Sequence, residues 1–284
     1  MDEAFWRSIR ENGYAFPAGR DILALTEDLC LLLGSPDPVL RDELAYSILA
    51  TWVSEGRYSS RALRELGTRM VANLQHGLGD RDSDSVFLRA FSVLILGEII
   101  AVDTQNPQLE QSLLQAWRSE ALQYLSAEVD ERGIVPKRGW AHAAAHTADC
   151  LGAFASHPST DKKGLQELLS GIAHRVLRHG AQVFIHDEDE RLAFACLAVF
   201  QRSLLSPADI DSWCTLFETP PDGGTWFQHA GQDAGARTYL NVKMFLRSLY
   251  LQTFWSANPP LLKDTIVERL LGTLRMIGTS LYGQ

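Results

Sequence analysis

The sequence predicts an all-α protein with about a dozen helices and no sheet. Apolar residues recur every three or four positions along nearly the whole chain, as at Leu25, Leu29 and Leu32, which is the spacing of one face of a helix. No stretch shows the strict apolar and polar alternation of a half-buried strand. Short segments rich in proline and glycine, such as residues 34–38 and 220–224, separate the helical stretches.

The helical stretches are roughly 15–20 residues long and form pairs of about 40–47 residues, which is the period of stacked helical hairpins of the HEAT or armadillo type. No consensus repeats along the chain, so an α/α toroid and an irregular helical bundle are also compatible. Asp187 with Glu190 predicts a capping box, and Ser206-Pro207 predicts a serine cap followed by proline. We expect one helical domain over residues 1–284.

Composition bears on partners and compartment. The chain has 26 Lys and Arg against 35 Asp and Glu, so it lacks the basic surface that nucleic-acid binding requires. Its acidic start is unlike a signal peptide. The apolar segment 86–101 is interrupted by Arg89 and Glu98, so it falls short of the ~20 uninterrupted residues that cross a bilayer. We therefore expect a soluble protein with no membrane partner. Four distant cysteines without a C-x-x-C pair favour a reducing cytoplasm.

Residues 139–149 predict an alanine-rich helix with one polar stripe. His142, His146 and Asp149 lie at positions i, i+4 and i+7, within about 40° of one another on a helix. Two imidazoles four residues apart can chelate zinc, with Asp149 as a third ligand or as the group that orients His146. Ala143 stands where a zincin has its glutamate base, which excludes that class. The alternative is two packing histidines and a surface aspartate.

A second polar stripe lies in an otherwise apolar helix, where Arg89 stands between Ser85 and Ser92. An unpaired buried charge costs several kcal/mol, so the guanidinium must meet a carboxylate or an anionic ligand. Arg89 is therefore a candidate ligand-binding residue, and the alternative is a structural ion pair.

A third candidate is the acidic helix start at residues 187–190. Carboxylates are favoured there by capping and by the helix dipole, and most of them need no further role. His186 precedes them, so Glu188 or Arg191 could face the same groove as the histidine helix. Glu188 is a candidate general base and Arg191 a candidate ligand-binding residue.

A fourth helix carries Asn241, Lys243 and Arg247 among apolar residues. Basic side chains one helical turn apart repel each other unless anions lie between them, so we expect these three residues, together with Trp140, to bind an anionic ligand. The polar residues 41–43 and Tyr46 near the N-terminus are expected on a solvated helix face.

With these segments identified, the chain resembles a bacterial family known as domain of unknown function 2785. The resemblance spans Asp42 to about Tyr250 and rests on five segments, at residues 41–46, 85–92, 139–149, 187–192 and 241–250. It implies an all-helical, cytoplasmic protein and brings no activity, substrate or catalytic assignment. The proline- and glycine-rich loop at 218–234, which contains Trp226, Phe227 and His229, does not enter the resemblance. Loops of this length are often lids or binding loops, although a surface linker is the alternative.

Two functions are compatible with these patterns. The sequence has no phosphate-binding loop, no dinucleotide fingerprint and no G-x-S-x-G elbow, so any catalysis must be built on helices. The first hypothesis is a polar groove that binds an anionic small molecule or peptide and acts on it through a divalent metal such as zinc or through His/Asp acid–base chemistry. The second is a helical scaffold for a protein partner. The first requires the polar stripes to converge, and its site residues are Arg89, His142, His146, Asp149, Glu188, Arg191, Lys243 and Arg247.

Overall fold

The computed structural model of the chain describes residues 1–278. In this part of the chain, thirteen α-helices and one π-helical segment make up almost all of the regular structure, so the all-α prediction is confirmed. The chain divides into two compact units, with the boundary between His157 and Pro158. The single-domain and stacked-hairpin descriptions stay predictions.

The first unit is built around one long helix, α5. Its elements are α1 (Glu3–Glu11), α2 (Ile22–Leu32), a π-helical segment (Val39–Tyr46), α3 (Ser47–Ser54), α4 (Ser60–Asn73), α5 (Ser85–Gln105), α6 (Gln111–Ala127), β1 (Ile134–Val135), β2 (Gly139–Trp140) and α7 (Ala143–Ser156). Helix α5 packs against α3, α4 and most extensively against α7. A Cβ atom at Gly97 would lie 3.1 Å from the Cα atom of Cys150, so glycine permits this close approach.

Helix α5 is also the one helix among residues 1–278 that is long and apolar enough to cross a membrane by length and composition, with a mean hydropathy of 2.0. It runs on past the apolar segment 86–101 to Gln105. Within the protein, 67% of its most apolar window is buried. The helix thus supplies the core of the first unit.

A short hairpin precedes α7, and the prediction of a chain without a sheet is wrong at this point. Ile134 pairs with Trp140 and Val135 with Gly139 in an antiparallel register. The turn between the strands is tight, because the Arg138 N–H donates to the Val135 carbonyl over 2.9 Å and Gly139 has a φ of +72°. A two-residue pairing gives too short an alternation to be recognised in a sequence.

The second unit contains α8 (Lys162–Val176), α9 (Glu188–Gln201), α10 (Pro207–Thr215), α11 (Trp226–Ala230), α12 (Asp233–Phe254) and α13 (Lys263–Ile277). Helix α12 is central, packing against α8, α9, α11 and α13. The predicted cap at Ser206 is confirmed, since Ser206 and Asp209 form a capping box with Pro207 in the first turn. The capping box predicted at Asp187 is wrong: this residue has a φ of +64° and its side chain makes no cap.

The four cysteines are free and buried, two in each unit. Desolvation raises the pKa of every one of these thiols, and that of Cys30 reaches about 11. They therefore remain protonated and behave as small apolar side chains.

Candidate functional site

The central feature of the first unit is a pair of adjacent imidazoles, His142 and His146, called the histidine pair below. The sequence places both on one helix, but α7 begins only at Ala143 and His142 is its cap residue, with a left-handed φ of +52°. The backbone explains this difference, because the His142 N–H donates to the Arg132 carbonyl and so ties the residue to the preceding segment. The two ring centroids still lie 5.5 Å apart, with an interplanar angle of 65°.

Aromatic side chains hold the histidine pair on both sides. The Trp140 indole stacks on the His142 ring with 4.6 Å between centroids, and the Phe91 ring meets the His146 ring edge-on at 5.0 Å. His142 is 6% exposed and His146 is 8% exposed, whereas Trp140 is 38% exposed. Packing therefore restricts the orientations of both imidazoles. Solvent reaches this group of rings at the Trp140 indole.

Asp149, the third member of the predicted stripe, lies on α7 one turn after His146 and is half-buried. Its assignment as a ligand or orienting group stays a prediction. The histidines themselves have a suitable spacing: two imidazoles on one tetrahedral zinc ion, with bonds of ~2.0–2.1 Å, place their ring centroids roughly 5 Å apart.

The π-helical segment contributes a cation that the sequence analysis assigned to a solvated face, and that prediction is wrong for Arg41. This side chain is fully buried, with its guanidinium carbon 4.1 Å from the Phe87 ring centroid and 4.9 Å from that of Phe91. It donates hydrogen bonds to the carbonyls of Ser35 and Arg138. The two phenylalanines one turn apart on α5 were the available signal, since arginine packs favourably on aromatic faces.

The Phe91 ring connects this segment to the histidine pair. It contacts Arg41 on one side and His146 on another, and the Tyr46 ring approaches it edge-on at 6.0 Å. The Tyr46 hydroxyl donates to a carboxylate oxygen of Glu98 over 2.9 Å. A π-helical stretch of this kind is rare and is frequent at functional sites, so we include it in the candidate site.

Asp42 completes this part of the site. Its Oδ1 atom lies 2.6 Å from the Arg41 Nε atom, and a Cβ atom at Gly139 would lie 3.4 Å from its Oδ2 atom. Burial raises the pKa of the Asp42 carboxyl to about 6, although the Arg41 guanidinium opposes this rise. The side chain keeps 26% exposure, so it exchanges protons with solvent near neutral pH.

The stability of the protein should depend on this carboxyl. A pKa above the ordinary value of 3.8 means that the folded chain binds the proton more tightly than the unfolded chain. We therefore expect the free energy of unfolding to fall by about 1–2 kcal/mol as the pH rises from about 4 to about 6. The variant Asp42→Asn should lack this component, as measured by urea unfolding at a series of pH values. Identical pH profiles for the wild type and the variant would contradict the raised pKa.

Arg89 has a carboxylate partner within the first unit. Its Nε and Nη2 atoms bond the two Glu128 oxygens over 2.7 and 3.0 Å, with both side chains almost completely buried. Its Nη1 atom donates to the carbonyls of His76 and Gly77 and to the Ser85 hydroxyl. This is the geometry of the ion-pair alternative, and a ligand-binding role stays a prediction.

The remaining predicted site residues lie in the second unit. Asn241 is fully buried and holds a loop, because it accepts from the Phe184 N–H and donates to the Gln182 carbonyl. The Lys243 ammonium lies 4.8 Å from the Tyr239 ring centroid. Glu188 is 5% exposed and accepts a bond from the His186 N–H, while Arg191 and Arg247 are exposed.

The eight residues predicted to converge are thus divided between the units, with four in each. In the first unit, the structure brings His142 and His146 together. The convergence of all eight stays a prediction.

Comparison with known proteins adds one result. The sequence profile of a family described as protein of unknown function (DUF2785) matches residues 74–251, which is more than half of the chain. The matched range includes the histidine pair and Arg89, and it begins after the π-helical segment. No curated protein and no solved structure matches the chain.

Proposed function

From the premise that the chain belongs to the family described as protein of unknown function (DUF2785), we propose that it binds a small anionic molecule or an anionic peptide at the histidine pair. The observation that carries this proposal is the juxtaposition of two imidazoles, each more than nine-tenths buried, with 5.5 Å between their ring centroids. Because the two rings lie so close together, we expect them to bind an anion at one shared position.

The chemistry of the site favours a negative ligand. A protonated imidazole offers two N–H donors and a positive charge. His142 also caps the start of α7 without a side-chain capping bond, and the N-terminus of a helix carries a partial positive charge that attracts anions. The first three residues of that helix are alanines, so its first turn has no acidic side chain that would repel an anion.

The same residues support a reaction on the ligand. Histidine is the commonest general acid and base near neutral pH, and Asp149, one turn after His146 on α7, is the acid that we assign to the pair as a partner. In a metal-assisted form, zinc would be held by His142 and His146 and would activate water. A reaction at this site requires that the anion binds there first, so the enzymatic proposal depends on the binding proposal.

The scaffold alternative has its own support. In the second unit Phe194, Leu251 and Trp255 are 62%, 42% and 72% exposed and line one groove. Exposed apolar patches of this kind mark protein interaction sites.

A titration with inorganic phosphate distinguishes the two functions. We expect phosphate to raise the melting temperature of the full-length wild type by several degrees, since a ligand at 100 times its Kd contributes about 2.7 kcal/mol. A variant with both His142→Gln and His146→Gln should lose this response, whereas His174→Gln, at an exposed histidine of α8, should keep it.

The proposal is wrong if phosphate leaves the wild type unchanged, and the scaffold is then favoured. It is also wrong if the double variant responds as the wild type does. Zinc content measured on the same proteins separates the two chemical forms: loss of a stoichiometric ion in the double variant supports the metal-assisted form, and unchanged metal content with lost phosphate binding supports the metal-free form.

A further inference from the structure

The second unit contains a separate group of ligand-type side chains, His179, Asp222 and His229. We infer that these three residues bind a divalent metal ion, for which zinc best matches the donors. Two imidazoles and one carboxylate are a three-ligand set of the kind that zinc accepts in proteins. The group lies outside the histidine pair and involves none of the residues proposed above.

The donor atoms are close enough to share an ion. The Asp222 Oδ2 atom lies 2.9 Å from the His179 Nδ1 atom and 3.9 Å from the His229 Nε2 atom. All three ligand atoms lie within 4.8 Å of one another. Ligands of a tetrahedral zinc ion, with bonds of ~2.0–2.1 Å, are roughly 3.3 Å apart, and the two measured distances to Asp222 lie on either side of that value.

His229 provides the second, independent observation. Its side chain is 9% exposed, and its Nε2 atom is buried with no hydrogen-bond partner. The nearest carboxylate oxygen, on Asp222, is beyond hydrogen-bond distance. Buried polar atoms are almost always satisfied, so this nitrogen requires a partner, and an ion between it and Asp222 would supply one.

Three different segments position the group. His179 follows α8, and the preceding residue is fastened by a hydrogen bond from the Thr238 hydroxyl to the Arg178 carbonyl. Asp222 lies in a turn in which the Gly223 N–H donates to the Pro220 carbonyl over 3.0 Å.

Three contacts fix the short helix that contains His229. This residue belongs to α11, which begins with a capping box formed by Thr225 and Gln228. The Trp226 indole anchors this short helix by donating to the Phe217 carbonyl over 2.9 Å. A Cβ atom at Gly235 would lie 2.4 Å from the His229 carbonyl oxygen, so α12 contacts the backbone of this ligand directly.

The site should be accessible and incompletely coordinated by protein. His179 and Asp222 are exposed, with 42% and 59% of their side chains accessible. Three protein ligands leave a fourth tetrahedral position for water or for a substrate atom. Asp222 and His229 belong to the loop at 218–234, so the inferred ion gives that loop a binding role.

Metal titration of the full-length protein tests the inference. After treatment with a chelator, the wild type should bind one equivalent of Co²⁺, with the visible absorption of a tetrahedral site, and Zn²⁺ should displace it. The variants His179→Ala and Asp222→Asn should each weaken binding by at least about tenfold. Both residues are exposed, so these variants are expected to fold normally, which far-ultraviolet circular dichroism checks.

Two control variants locate the ion. His174→Ala removes an exposed histidine from the same unit and should bind the metal as the wild type does. The double variant His142→Gln and His146→Gln should also keep this equivalent. The inference is overturned if the wild type binds no stoichiometric metal, or if His179→Ala and Asp222→Asn retain wild-type affinity. It is also overturned if only the double variant loses the ion, which would instead support the metal-assisted form of the proposed function.

Discussion

Replacing Glu128 by alanine should lower the free energy of unfolding by roughly 3–5 kcal/mol, because it leaves the buried Arg89 guanidinium without its counter-charge. Both side chains are almost completely buried and bonded through two parallel hydrogen bonds. The Glu128 carboxylate also accepts from the backbone N–H groups of Val129 and Asp130, so the variant loses the anchor of the segment that leads to the hairpin.

Urea unfolding followed by circular dichroism measures this effect. The matched control is Glu65→Ala, which breaks the ion pair with Arg61 on the surface of α4, where the side chains are 51% and 86% exposed. Exposed pairs contribute about 0.2–1 kcal/mol, so the control should change little. Equal losses in the two variants would mean that burial does not determine the strength of the Arg89 pair.

The second large effect is expected for Asn241→Leu, which preserves the approximate size of the side chain and removes its two hydrogen bonds. The amide holds the loop before α9 through the Phe184 N–H and the Gln182 carbonyl, both at 2.9 Å. Each buried group that loses its partner costs about 1–3 kcal/mol, so we expect a loss of roughly 2–4 kcal/mol in urea unfolding.

The control for this variant is Gln182→Ala. The Asn241 amide donates to the backbone carbonyl of Gln182, and the Gln182 side chain is exposed, so truncating that side chain should cost less stability than Asn241→Leu. A loss below about 1 kcal/mol for Asn241→Leu would contradict the structural role.

The helices were predictable from the sequence because their apolar spacing is a local signal. The start of α7 was not, because the left-handed φ of His142 results from a hydrogen bond to Arg132, ten residues earlier. Asp187 is a similar case: its acidic neighbours resemble a capping box, but its own φ of +64° prevents the cap. In both cases the backbone at the helix start determines what the side chain does.

The sequence indicated that a buried charge requires a partner, but it did not indicate which residue that partner is. The apolar neighbours of Arg89 indicated a counter-charge, but Glu128 lies 39 positions away, at the C-terminal end of α6. The group formed by His179, Asp222 and His229 gives no pattern at all in the sequence, since its members follow a helix, occupy a turn and lie in a five-residue helix. Contacts that depend on tertiary packing have no fixed spacing along the chain.

The four protonated, buried cysteines can report transient opening of the core in each unit. The thiolate is the nucleophile that attacks an alkylating reagent, so these thiols are modified only after the surrounding core opens and solvent lowers the raised pKa. Cys30 and Cys150 lie in the first unit and Cys196 and Cys214 in the second. Rates of thiol labelling, resolved by peptide mass spectrometry, therefore measure the opening of each core separately, and no cysteine has to be introduced.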